Sequence, residues 1–134
     1  AGTFSFSNSS NGVNYFIQIK HRNSLETWSK TTQLFVSNAM TYNFTTANTQ
    51  AYGDNQIQAD ASPVRFAVYS GDVNQDDKIE VNDASIVGTY WGSTANPNGN
   101  VNFDSIVNIQ DLALVGGNYG LTSATAYSWW SPLP

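Results

Sequence analysis

The sequence predicts an α+β protein in two parts: an antiparallel β-sandwich-like unit over residues 1–69, then a pair of loop–helix repeats over residues 70–134. Three observations lead there. Residues 3–69 fall into short runs in which apolar and polar side chains alternate, separated by turn-forming clusters. A twelve-residue stretch rich in Asp and Asn begins at Asp72 and recurs in register 28 residues later at Asn100. After each copy the apolar residues change to helical spacing.

In chain order, Thr3-Phe-Ser-Phe-Ser7 alternates, with Phe4 and Phe6 on one face, and Asn8–Gly12 is a turn cluster. In the next run Tyr15, Ile17 and Ile19 are expected to point inward, and Gln18, Lys20 and Arg22 outward. Leu25–Trp28 reads as a short strand or an anchored turn. Thr32–Val36 and Met40–Thr45 read as two more strands, joined by a hairpin near Ser37–Ala39. Ala47–Pro63 reads as a long polar loop, and Val64–Tyr69 as the last strand. About five strands is thin for a closed sandwich, because small β-units bury too little surface. The unit is therefore expected to be incomplete and to present an open apolar edge.

Helices are expected over residues 84–92 and 110–119, with Ala84, Val87 and Trp91 facing Leu112, Val115 and Tyr119. Gly88, Gly116 and Gly117 each cost roughly 1 kcal/mol of helix propensity relative to Ala, which predicts close approach of the helices to each other or to a partner. The aromatic tail, Tyr127–Pro134, is expected to clasp the chain near Phe66 and Tyr69 or, alternatively, to offer a partner surface, since exposed Trp is favoured at interfaces.

The repeated stretch carries the chemistry. Asp72, Asn74, Asp76, Glu80 and Asp83 put oxygen-bearing side chains at positions 1, 3, 5, 9 and 12 of the first copy, and Lys78 offers its backbone carbonyl at position 7. A hard cation such as Ca2+ takes six to eight oxygens, and a loop of this length can wrap them around it. The second copy offers Asn100, Asn102, Asp104, the Ile106 carbonyl, Asn108 and Asp111. Two Ca2+ ions are expected. Position 6 holds Asp77 and Ser105 where such loops favour Gly, and Asp tolerates a left-handed backbone better than most residues. At positions 1, 3, 5 and 12 the first loop has three carboxylates and the second two, so the first is expected to bind more tightly.

Each loop is followed by a helix, and the run before Asp72 reads as a strand and turn with no entering helix. Loop then helix, twice, resembles a dockerin over roughly residues 70–130, half the chain. The resemblance implies two calcium-loop–helix (F-hand) units packed antiparallel, secretion, and docking to a cohesin on another protein. His21-Arg-Asn-Ser-Leu-Glu-Thr-Trp-Ser29 is similar to a β-domain found just before dockerin-like repeats in large secreted bacterial proteins. In those relatives further strands usually precede the segment that corresponds to Gly2–Phe6. Dockerins recognise cohesins through loop positions 10 and 11 and the next helical turn. Those positions hold Val81 and Asn82, Ile109 and Gln110, with Gly88, Thr89, Gly116 and Gly117 beyond. So smooth a surface argues against an ordinary cohesin as partner.

Charge and composition narrow the rest. The net charge of −5 is divided unevenly: residues 1–71 hold four bases and three acids, and residues 72–134 hold one base and seven acids. The acidity coincides with the proposed ligands, and no basic face invites nucleic acid. There is no Cys and no apolar run long enough to span a bilayer. The chain opens in strand-like sequence without a leader, the expectation for a mature or trimmed product. Few charges with many Asn, Ser and Thr suit a secreted protein, and extracellular calcium makes modest sites useful. Asn8-Ser-Ser10 and Asn43-Phe-Thr45 are glycosylation sequons. His21 is the single histidine, and there is no nucleophile elbow or phosphate-binding glycine loop, so no enzyme is expected. The expected role is a secreted, calcium-binding assembly module. It would join another chain or its own copy through the β-edge, and repetition of that contact would build an extracellular filament. The alternative is a carbohydrate-binding module attached to a dockerin, suggested by the many Tyr and Trp residues.

Overall fold

The computed structural model describes residues 2–95 and 98–123. The expected tail clasp lies outside the described residues. The class is α+β, built from short antiparallel strand pairs followed by two helices. The strands are β1 (Asn14–Tyr15), β2 (Gln18–Ile19), β3 (Thr27–Trp28), β4 (Gln33–Leu34), β5 (Ile57–Ala61) and β6 (Val64–Ala67). They form three separate two-stranded ladders, β1–β4, β2–β3 and β5–β6, where two facing sheets of a sandwich were expected.

Local hydrogen bonding explains the departures. The run from Tyr15 to Arg22 changes partner midway, because Ile17 is tied to Ser29: its N–H donates to Ser29 Oγ at 3.0 Å and its carbonyl accepts the Ser29 N–H at 2.8 Å. Within it, Tyr15, Ile17 and Ile19 are half-buried and Gln18 and Lys20 exposed, as the alternation required, but Arg22 is half-buried rather than outward. Residues 40–45 form no strand; Asn43 Oδ1 accepts both the N–H and the hydroxyl of Thr45, an Asx turn that bends the chain. Residues 3–7, expected to be a strand, have no ladder partner among the described residues and are exposed on both faces. Conversely, β5 lies inside the expected loop. All its side chains are exposed and its pairing with β6 is a backbone matter, so apolar periodicity could not reveal it.

Helix α1 spans Val81–Thr89 and α2 spans Ile109–Gly117. Both begin earlier than the apolar stripes suggested, because Glu80 and Asn108 are the N-caps and Asp83 and Asp111 complete capping boxes. Trp91 and Tyr119 fall beyond the helix ends and are exposed, so they leave the expected stripes. A methyl group on Gly88, Gly116 or Gly117 would meet nothing within 4 Å, so these glycines do not mark a close approach within the chain. The close approach is at Gly71, where φ is +123° and an added Cβ would lie 3.2 Å from the Val115 Cα and from Ile79.

The core follows the repeat. Val73 and Val101, Ile79 and Val107, and Val87 and Val115 are three buried pairs, each offset by 28 residues. Full burial of each such side chain stabilises by roughly 1.5–3 kcal/mol. The backbone repeats too. Ile79 N–H donates to Leu121 and its carbonyl accepts Gly120 N–H; Val107 N–H donates to Ser93 and its carbonyl accepts Gly92 N–H. Each loop is thus pinned to the segment after the other repeat's helix. Residues 2–69 contribute only Leu25 and Ala51 to the buried apolar set, and Leu25 packs into the repeat core. It is held there by backbone pairing: Leu25 N–H donates to Tyr69 at 2.9 Å and Gly71 N–H to Asn23 at 2.8 Å. Apolar side chains of the β-part instead lie open, among them Phe4, Phe6, Leu34, Val36 and Val64.

Candidate metal centre

Loop one starts from the tight corner at Gly71. Asp72 is 1% exposed, and its two oxygens accept the N–H groups of Asp76 and Asp77, both at 3.1 Å. Asn74 Oδ1 then accepts from Asp76 N–H at 3.0 Å, and Asp76 Oδ1 from Lys78 N–H at 3.1 Å. These successive Asx turns curl alternate side chains to the inside of the loop. Gln75 and Asp77 take left-handed φ values of 60° and 69°, the latter at the position where Asp stands for Gly. Asp83, fully buried, closes the loop: Oδ1 accepts Val73 N–H at 2.6 Å and Asn74 N–H at 3.2 Å, and Oδ2 accepts Glu80 N–H at 2.8 Å. Glu80 Oε1 takes a hydrogen bond from Asn82.

Loop two repeats the arrangement. Asp111 accepts from Val101, Asn102 and Asn108 at 2.6, 3.0 and 2.8 Å. Asn102 Oδ1 accepts from Asp104 N–H at 2.9 Å, and Asp104 Oδ1 from Ile106 N–H at 2.8 Å. The loops differ at positions 1, 6 and 9; at position 6 Ser105, unlike Asp77, does not take a positive φ, although Phe103 matches Gln75 at position 4. Asn100 donates from Nδ2 to the Asp104 carbonyl, while its buried Oδ1 has no hydrogen-bond partner. Asn108 Oδ1 caps α2 through Gln110 N–H, and Asn108 Nδ2 reaches the Ile106 carbonyl at 3.4 Å.

All twelve expected ligand positions therefore lie on two similarly folded loops. Asp72, Asp83 and Asp111 are buried, Glu80, Asn100, Asn102 and Asn108 half-buried, and Asn74, Asp76, Lys78, Asp104 and Ile106 exposed. Among the described residues no three Asp, Glu, His or Cys side chains are gathered as a ready metal-binding group. The donor sets mix carboxylates with carboxamides and carbonyls, the chemistry of a hard cation. The donors fit Ca2+ on two further counts: the buried Asn100 oxygen lacks a donor, and the buried acids have only backbone N–H groups for company.

Burial pushes the Asp72 carboxyl up to about 6, and the charges of Asp83 and Asp76 add to the rise, against hydrogen bonds from Asp77 and Asp76 N–H. Asp104 goes the other way, its charge favoured by the Ile106 N–H and the Asn102 side chain. An acid raised above its unfolded value destabilises the fold when ionised, so the ion-free chain should gain stability as pH falls through about 6. Calcium needs the ionised carboxylate, so its affinity should fall over the same range. Titration at neutral pH and near pH 5 should show a loss of roughly tenfold in loop one. An affinity independent of pH would remove Asp72 from the ligand set.

Sequence reasoning missed the residues that brace the loops from outside. Gln75 Nε2 donates to the His21 carbonyl at 2.6 Å, Arg22 Nη2 and Asn23 Nδ2 both donate to the Asn100 carbonyl, and the His21 and Phe103 rings are 5.4 Å apart. The one available signal was the His-Arg-Asn run, whose alternation assigned Arg22 to solvent. No protein-family model, curated protein or solved structure matches the chain.

Proposed function

We propose that this is a secreted, calcium-binding, non-enzymatic module for protein–protein assembly, dockerin-like in residues 70–134, which joins other chains through the open β-edge of residues 1–69. The observation that carries the reading is the duplicated loop. Two copies of one Asx-turn arrangement, closed by Asp83 and Asp111, are fused through a shared core. Assembly is supported by the N-terminal segment. Phe4 and Phe6 are 78% and 62% exposed, and they line a cleft with Thr3, Ser5, Phe35 and Asn38. Covering each ring would contribute roughly 1.5–3 kcal/mol, and an added strand would also satisfy the backbone of residues 3–7. A second copy or a co-secreted chain is the expected partner rather than an ordinary cohesin, and repetition without closing rotation would give a filament.

Two features weigh against other classes. His21 Nδ1 lies 3.2 Å from Ser24 Oγ, but Ser24 is 5% exposed and the His21 ring lies 5.4 Å from the Phe103 ring, which weighs against Ser24 as a nucleophile. Of the aromatics that suggested a carbohydrate-binding module, Trp28 donates to Glu26 and the Tyr42 hydroxyl to the Gln50 carbonyl, which occupies their polar ends, while Tyr90, Trp91 and Tyr119 are exposed. No helix among the described residues is long and apolar enough to cross a membrane. Light scattering in millimolar calcium should show an oligomer that Phe4→Ser/Phe6→Ser dissociates. A monomer near 14.6 kDa at all concentrations would sink the assembly reading.

A further inference from the structure

Arg22 is poorly matched to its surroundings. It is half-buried, its Nη1 is buried without a hydrogen-bond partner, and the ion pairs among the described residues, Lys20–Glu26 and Lys30–Asp54, leave it out. It leans on loop two instead. Nη2 lies 3.3 Å from the Asn100 carbonyl, and the guanidinium carbon is 4.2 Å from the centre of the Phe103 ring. Beside it Asn23, fully buried, donates to the same carbonyl at 3.1 Å while its own Oδ1 is unpartnered. At position 1 of loop two, then, a carboxamide replaces the carboxylate of loop one, and a positive charge from the β-part stands against the backbone carbonyl of the same residue.

We propose that Arg22 widens the affinity gap between the two calcium loops: its charge opposes a divalent ion in loop two, so that loop one fills first and loop two empties first as calcium falls. This rests on the calcium reading above. The opposition is Coulombic and acts at short range in a partly buried setting, where salt screens it less than it would at the surface. Lys78 does not act the same way on loop one, because its side chain is exposed and only its carbonyl faces the ion in that reading. The second site is thereby weakened twice, once by the missing carboxylate and once by the added cation.

The test is calorimetric calcium titration of the whole, calcium-stripped chain in its wild-type, Arg22→Gln and Arg22→Lys forms, with Asp104→Ala identifying the loop-two step. Arg22→Gln should tighten the loop-two step on the order of tenfold and leave loop one within about twofold. Arg22→Lys keeps the charge and should stay near wild type. The gain from Arg22→Gln should shrink as ionic strength rises. A wild type that fills only loop one, beside an Arg22→Gln that fills both, is the same result in a stronger form. An unchanged or weakened loop-two step in Arg22→Gln overturns the proposal, as does equal weakening in Gln and Lys variants, which marks a purely structural arginine. Circular dichroism of each variant separates a lost fold from a lost site. Two ions bound with an unaltered gap would sink this inference alone; no ion bound by any form would sink the calcium reading with it.

Discussion

Leu25→Ala should destabilise the whole chain by about 2–5 kcal/mol, the range for truncating a leucine in a core that cannot collapse around the gap. Leu25 lies far from the repeats in sequence, yet it is 1% exposed and belongs to the cluster of Val73, Ile79, Val87, Val101, Val107 and Val115. The β-part has almost no buried apolar residues of its own among those described, so Leu25 is its one apolar anchor in the repeat core, beside the backbone pairing of residues 23–25 with 69–71 and the polar contacts of His21, Arg22 and Asn23 with the loops. Loss of Leu25 should therefore lower the helical circular dichroism melt and the Trp28 fluorescence melt together. Val64→Ala, at an exposed site of the same part, should cost about 0.5 kcal/mol or less. If the repeats of Leu25→Ala melt at the wild-type temperature, the two parts do not share a core.

The repeats were legible because their signal is redundant. Val73 and Val101, Asp83 and Asp111, and Gly92 and Gly120 stand in one register, and each pair occupies matching positions in the fold. Asp83 lies in the first turn of α1, which starts three residues before the expected boundary. The β-part was less legible for a physical reason. Its ladders are two to five residues long, and side chains fix them as much as apolar alternation does. Ser29 Oγ diverts Ile17, Asn43 bends its own neighbourhood, and β5 pairs while fully exposed. The alternation at Phe4 and Phe6 did not yield a strand: residues 3–7 pair with nothing among the described residues, and both rings are exposed. Contacts between distant segments were invisible: nothing in the His-Arg-Asn run announces that Arg22 and Asn23 meet Asn100.

Removal of calcium should have a larger effect than most single substitutions. Asp72, Asp83 and Asp111 are buried, and none of them forms an ion pair with Lys, Arg or His among the described residues. Backbone N–H groups satisfy their geometry but carry no full charge to offset the cost of desolvating a carboxylate. On the calcium reading proposed above, a bound ion would supply that charge. At a hundredfold excess over its Kd each ion stabilises by about 2.7 kcal/mol if only the folded chain binds it, so two contribute about 5 kcal/mol. A small domain has about 5–15 kcal/mol in all, so excess chelator should lower the helical circular dichroism and the melting temperature steeply. Loop one should account for more of the loss: Asp76→Ala should reduce the calcium-dependent rise in melting temperature more than Asp104→Ala. Acidification should partly mimic the ion, since protonating Asp72 below about pH 6 removes one of the uncompensated charges. A melting curve unmoved by chelator at neutral pH would mean that the loops hold their shape by hydrogen bonds alone, and would falsify the folding role assigned to calcium.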